Sequence, residues 1–97
     1  MSYTLHPDAE AELAHAAGNY GVQASQKVAS AFLAEFERML SLLAGFQELG
    51  APARDGLRIL PFQRFPYSVI YRKSEAGPIV YAVAHHRREP SYWRSRI

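Results

Sequence analysis

Arg64-Phe65-Pro66-Tyr67-Ser68-Val69-Ile70-Tyr71-Arg72 alternates at a period of two, and that period decides the fold of the chain's second half. A strand here puts Phe65, Tyr67, Val69 and Tyr71 on one face and Arg64, Ser68, Ile70 and Arg72 on the other. Pro66 fits near the start of such a strand or on a sheet edge, because it cannot donate to the ladder. Downstream, Lys73 to Pro78 has turn composition, so the next strand, Ile79 to His86, returns as a hairpin. That strand is apolar on both faces, which predicts a central position covered above and below. Upstream, Leu57-Arg58-Ile59-Leu60 is a shorter strand closed by Pro61.

The first half follows a different period. Tyr3-Thr4-Leu5-His6 alternates briefly and predicts an initial strand. Pro7 stands where helices accept proline, and Asp8, Glu10 and Glu12 place negative charge near the helix N-terminus. Ala9, Leu13, Ala16, Ala17 and Tyr20 form its apolar stripe, and Gly18-Asn19 and Gly21 predict its end. A second helix carries Val28, Phe32, Phe36 and Leu40 at every fourth residue, widened by Ala29, Leu33, Met39 and Leu43. Ser25 is its N-cap and Gly45 its stop. An aromatic stripe at helical spacing marks Phe32 and Phe36 as core. Phe46 to Asp55 reads as a loop. Helices first and strands last give an α+β fold of order β-α-α-β-β-β. A helical hairpin then packs on one face of a small antiparallel sheet, and Ser91 to Arg96 forms a short C-terminal helix beyond the turn set by Pro90. Residues 1–97 suffice for one domain with a single core.

Composition removes several chemistries. There is no cysteine, which excludes disulfides, zinc–thiolate sites and cysteine nucleophiles. No apolar run approaches the roughly 18 residues of a membrane span, and the N-terminus has no signal-peptide pattern, so a cytoplasmic protein is expected. The net charge of +2 conceals an asymmetry. Met1 to Asp55 carries three basic and seven acidic residues, whereas Gly56 to Ile97 carries eight basic and two acidic. The second half therefore projects a positive field suited to nucleic acid or an acidic protein surface. Its densest part is His85 to Arg96, with two histidines, four arginines, a tyrosine and the only tryptophan.

Phosphate loops, zinc-protease helices and nucleophile elbows are absent from the sequence. His85 and His86, adjacent on a strand, point to opposite faces, and His6 and His15 have no evident partner. No metal site and no cofactor are expected. The helical carboxylates read as a solvated face rather than a paired acid–base site.

Residues spread over nearly the whole chain carry a family resemblance. They are His6-Pro7-Asp8-Ala9-Glu10-Ala11-Glu12-Leu13 with Tyr20, Gly56-Leu57-Arg58, Arg64 to Arg72, and His85-His86-Arg87-Arg88-Glu89-Pro90-Ser91-Tyr92-Trp93. In these the sequence resembles the ParE/RelE superfamily of toxins from type II toxin–antitoxin modules, and more closely the ParE, or plasmid-stabilisation, branch. The resemblance implies a RelE/ParE-like fold, a growth-inhibiting toxin, and a cognate antitoxin that folds across it, with oligomers expected only in that complex. The arginines expected to meet the antitoxin are Arg58, Arg64 and Arg72.

Two mechanisms divide the superfamily. ParE-like members inhibit DNA gyrase without a catalytic constellation, which would make Arg87, Arg88, Tyr92, Trp93, Arg94 and Arg96 a target-binding surface. RelE-like members are ribonucleases that cut messenger RNA in the ribosome. Here that role would fall to Arg64 or Arg87 on the phosphate, His85 as acid or base, and Tyr92 stacking on a base or donating a proton. RelE-like nucleases lean on lysines of the second helix and the following strand. This chain has only Lys27 and Lys73, one at a helix start and one in a turn. The resemblance therefore favours an inhibitor over an enzyme, with endoribonuclease and non-toxic nucleic-acid- or protein-binding module as alternatives.

Overall fold

A computed structural model describes residues 3–89 and 91–97, so Pro90 and any turn it sets lie outside the described residues. The elements are β1 (Thr4–Leu5), α1 (Pro7–Gln23), α2 (Gln26–Gly45), β2 (Ala51–Pro52), β3 (Leu57–Pro61), β4 (Tyr67–Arg72) and β5 (Ile79–His85). Short 3₁₀ turns occupy Arg54–Gly56 and Tyr92–Arg96. The α+β layout and the helical hairpin on one sheet face are as expected from periodicity.

The helix ends follow local chemistry. Pro7 opens α1, and His6 caps it by accepting the Asp8 N–H on Nδ1 at 3.1 Å. Ser25 caps α2 by accepting the Val28 N–H on Oγ at 3.2 Å. The expected end of α1 at Gly18–Gly21 is wrong, because the helix runs on to Gln23. A Cβ at Gly21 would lie 2.8 Å from the side-chain oxygen of Gln26, an exposed residue free to swing aside, and in ordinary contact with Ala29 Cβ at 3.8 Å, so packing does not demand glycine there. Glycine costs a helix about 1 kcal/mol relative to alanine. Tyr20, one residue earlier, offsets it by packing on Phe32 with ring centroids 5.3 Å apart.

On α2 the buried stripe is Ala29, Phe32, Phe36, Met39, Leu40 and Leu43. Val28 is only half-buried and Leu33 is exposed, so the expected stripe was too wide on both flanks.

The sheet runs β1-β5-β4-β3-β2. It is mixed rather than wholly antiparallel, because β1 pairs parallel to β5 through Thr4 N–H to Pro78 O (3.0 Å) and His6 N–H to Val80 O (2.9 Å). A two-residue strand has no periodicity from which to read direction. The expected loop after α2 also holds a strand, β2, antiparallel to β3, with Pro52 on the outer edge where its missing donor does no harm.

Tyr71 fixes that segment. Its side chain is fully buried, and its hydroxyl donates to Gln47 O (2.7 Å) and accepts the Gly50 N–H (2.8 Å). Gly50 is obligatory there, since a Cβ would fall 2.7 Å from that hydroxyl. Tyr71→Phe keeps the ring but strands a buried N–H and a carbonyl, so a stability loss of about 1–3 kcal/mol is expected. A shift in the urea midpoint at constant slope measures it, and an unshifted midpoint would show the hydroxyl to be dispensable.

One irregularity sets which residues face which way. In β5, Ala82 lies opposite Ile70 and Val80 opposite Tyr71, leaving Tyr81 as an extra, bulged residue. Val80 and Val83 therefore both join the core under the helices, with Phe32, Phe36 and Tyr71. Ala82 and Ala84 join Leu57 and Ile70 on the opposite face, where Ile59, Tyr81, Tyr92 and Trp93 pack over them. β5 is thus covered on both sides, as its composition implied.

Candidate functional site

Because β1 ends at Leu5 and the chain turns into α1, β5 has no strand neighbour on that side beyond Val80. Side chains close this edge. Glu12, from the second turn of α1, accepts the Val83 N–H on Oε1 at 3.0 Å. Arg96, from the C-terminal 3₁₀ turn, donates to Tyr81 O at 2.9 Å and grips Glu12 with both terminal nitrogens, at 2.9 and 3.0 Å. The Tyr92 hydroxyl donates to Glu12 Oε2 at 2.7 Å. Asp8 adds an ion pair to Arg96 at 3.6 Å, and Arg88 one to Glu12 at 3.7 Å. The Arg88 guanidinium also lies over the Tyr92 ring, 3.9 Å from its centroid.

This junction controls its own protonation. Burial alone would raise the Glu12 carboxyl, but hydrogen bonds from Arg96, Tyr92 and the Val83 N–H outweigh it and hold the group below the usual carboxylate range. Burial, then the hydrogen bond to Glu12, pushes the Tyr92 phenol far above the ordinary tyrosine range. The hydrogen bond to Glu12 raises Arg96 further, against burial. The carboxylates were expected on a solvated face. Glu12 does not fit that, and neither does Glu35, which is 4% exposed and accepts the Gln63 N–H at 2.5 Å and Arg64 Nε at 3.3 Å.

The expected target-binding residues divide into two groups. Tyr92 and Arg96 are committed to the junction, which makes them supports for the C-terminal turn. Arg87 and Arg94 are exposed and make no side-chain hydrogen bond or ion pair among the described residues. Arg88 keeps 55% of its side chain exposed despite its contacts. Trp93 is half-buried on the face opposite the helices, with its indole edge-on to Tyr92 at 5.2 Å.

The residues of the expected ribonuclease set have other partners. Arg64 sits in the β3–β4 turn, tied to Glu35. His85 stacks edge-on against Tyr67 at 4.9 Å, and its Nδ1 accepts the Arg87 N–H at 3.0 Å, which leaves the ring proton on Nε2. Tyr92 has given its hydroxyl to Glu12. His86, pointing to the other face as expected, meets Ser68 Oγ at 3.0 Å.

The expected antitoxin-contacting arginines also have partners of their own. Arg58 donates to the carbonyls of Glu48 and Gly50, and Arg72 to that of Asp55, with its guanidinium over Tyr81. Arg64 presents 58% of its side chain to solvent.

Sequence reasoning missed the partners of Glu12, Glu35 and Ser68. Glu12 falls three residues after Ala9 and four before Ala16, and Glu35 three after Phe32 and four before Met39. Each therefore lies inside a buried stripe, and a carboxylate in that position needs a partner. Ser68 carried no such signal.

The assembled features define a two-layer α+β protein with helices on one face and an arginine-rimmed aromatic surface on the other. The family model described as ParE toxin of type II toxin–antitoxin system, parDE, matches residues 3–90, and the chain belongs to that family. The Tyr92–Arg96 turn lies beyond the matched residues. A solved chain from the chromosomal ParDE TA system of P. aeruginosa superimposes with a TM-score of 0.74 at 22% identity, covering 88% of this chain and 95% of that one. At that identity the likeness speaks for the fold. No curated protein matches significantly. Among the described residues no helix is long and apolar enough to cross a membrane.

Proposed function

We propose that this ParE-family chain acts over residues 1–97 as a growth-inhibiting toxin in the cytoplasm, poisoning DNA gyrase and held inactive by a cognate antitoxin. The observation that carries the choice of docking over catalysis is the state of Tyr92. Its hydroxyl is bound to a carboxylate and its proton is held more tightly than in an ordinary phenol, so it is poorly suited to protonate a leaving group. Arg87, Arg88, Trp93 and Arg94 offer cations and an indole face, which suits a contact surface. An antitoxin partner is supported by the description of the similar P. aeruginosa structure as a ParDE toxin–antitoxin system. Arg64, largely exposed in the β3–β4 turn, is the cation best placed for an acidic antitoxin segment.

Expression of the chain alone is expected to arrest growth with stalled replication, and coexpression with the antitoxin to restore it. Purified protein is expected to inhibit gyrase supercoiling, and Arg87→Ala/Arg94→Ala to weaken that inhibition without lowering the melting temperature. Unchanged supercoiling would overturn the gyrase reading. Cuts within codons of translated messages that vanish in His85→Ala would instead establish the nuclease alternative.

A further inference from the structure

The indole of Trp93 separates two clefts on the sheet face opposite the helices. One, of about 190 Å³, is floored by Leu57 and Ile59 and rimmed by Arg54 and Arg94. The other, of about 170 Å³, is floored by Ile70 and Ala84 and rimmed by Ser68, His86 and Arg88. Trp93 and Ile59 line both, so the indole is their shared wall. Pockets for drug-sized ligands run to roughly 300–1,000 Å³. Each of these clefts is smaller and suits a single planar ring against an apolar floor.

From this juxtaposition the geometry points to a binding site for single-stranded nucleic acid, in which Trp93 stands between two successive bases and the rim arginines hold the flanking phosphates. A nucleic-acid strand alternates a flat ring with an anionic group, and here apolar slots alternate with cations across one indole. Base stacking on aromatic side chains tolerates any sequence, because every base has a π-face. The Ser68 hydroxyl and the His86 ring, 3.0 Å apart, offer polar atoms to a base edge in the second cleft. An acidic peptide matches the charge but supplies no run of planar groups. Duplex DNA has its bases stacked on each other and would have to unstack to enter. Asp55 also lines the first cleft; its backbone oxygen accepts from Arg72, and Arg54 makes no ion pair among the described residues. The inference goes beyond the toxin reading and requires no gyrase.

The full chain contains one tryptophan, so its fluorescence reports on this site directly. Titration with short oligothymidylate and oligouridylate is expected to quench the emission, while a blunt duplex of equal length quenches far less. With labelled oligonucleotide and anisotropy as the readout, Trp93→Leu is expected to weaken binding on the order of 10-fold. Arg54→Ala and Arg94→Ala, at exposed positions, are each expected to reduce the slope of log K against log salt by about 0.7. Arg94→Glu, which leaves the packing intact, is expected to abolish binding. Quenching by only one of the two sugars assigns the site to that nucleic acid, since only RNA offers the 2′-hydroxyl. Heparin tests charge without bases: equal quenching by heparin, or unaltered affinity in both Trp93→Leu and Arg94→Glu, overturns the inference. Because gyrase is absent from the assay, its outcome is separate from that of the toxin reading.

Discussion

Glu12→Ala is expected to cost about 3 kcal/mol of stability. The carboxylate has two hydrogen-bond donors on each oxygen: the Val83 N–H and Arg96 on one, Tyr92 and Arg96 on the other. Removing it leaves Arg96, with only 11% of its side chain exposed, without its main counter-charge, and removing one partner of such a pair is the costly case. A net stability of 5–15 kcal/mol is usual for a domain, so the loss would be a large fraction of the total.

Glu12→Gln separates charge from shape, and the sign of its pH effect follows from linkage. The folded state lowers the Glu12 pKa, so the unfolded chain binds the proton more readily. The contribution is therefore fully present above the ordinary carboxylate range and is lost as pH falls through the lowered value. Urea midpoints at neutral pH and near pH 4 are expected to differ more in the wild type than in Glu12→Gln. Glu48, also lowered by its hydrogen bond and ion pair with Lys73, is common to both proteins and cancels in the comparison. Equal pH dependence in the two would show that Glu12 is not the group responsible.

Phe32→Ala is expected to be at least as damaging, by about 3–5 kcal/mol. Its ring stacks on Phe62 at 4.9 Å and 5°, and meets Phe65 at 5.1 Å, Tyr67 at 5.2 Å and Tyr20 at 5.3 Å. Those partners come from α1, the β3–β4 turn and β4, so a cavity here loosens all three attachments to α2 at once. Phe36, equally buried, has a much sparser aromatic environment, with Tyr3 edge-on at 6.3 Å. Phe32→Leu should recover much of the loss, since it refills most of the volume. Thermal melting followed by near-ultraviolet circular dichroism checks both variants. A Phe32→Ala midpoint close to that of the wild type would mean that the cluster repacks.

How far the sequence reached can be traced through single residues. Alternation assigned the faces correctly from Tyr67 to Arg72, with Val69 and Tyr71 under the helices and Ile70 on the other side. The strand starts at Tyr67 and not at Phe65, because Arg64 to Pro66 belong to the β3–β4 turn. The Ser25 cap and the Phe32–Phe36–Leu40 stripe were equally readable, since each rests on contacts within a few residues. What stayed hidden depends on distant partners. β2 is two residues long and includes a proline, so it has no period to detect. The Tyr81 bulge shifts the phase of β5, and its uniformly apolar composition masks the shift. On the candidate surface, the concentration of arginine around Trp93 was visible, but the withdrawal of Tyr92 and Arg96 into the Glu12 junction was not. That partition requires a carboxylate 80 and 84 residues away.

The parallel β1–β5 pairing and the Glu12 junction also bear on how the chain reaches this fold. Thr4 pairs with Ile79, and Glu12 meets Val83 across 71 residues, so these contacts close only when β5 and the turn after it are available. Contacts of such high order form late, after local ones such as the α1–α2 hairpin and the β3–β4 pair. During synthesis the hairpin emerges with Phe32, Phe36, Leu40 and Leu43 facing no sheet, a state prone to self-association. The cations at Arg88 and Arg96 are made after Glu12 and lock its carboxylate in place. Maturation of this ParE-family chain is thus a closing step between α1 and the C-terminal 3₁₀ turn.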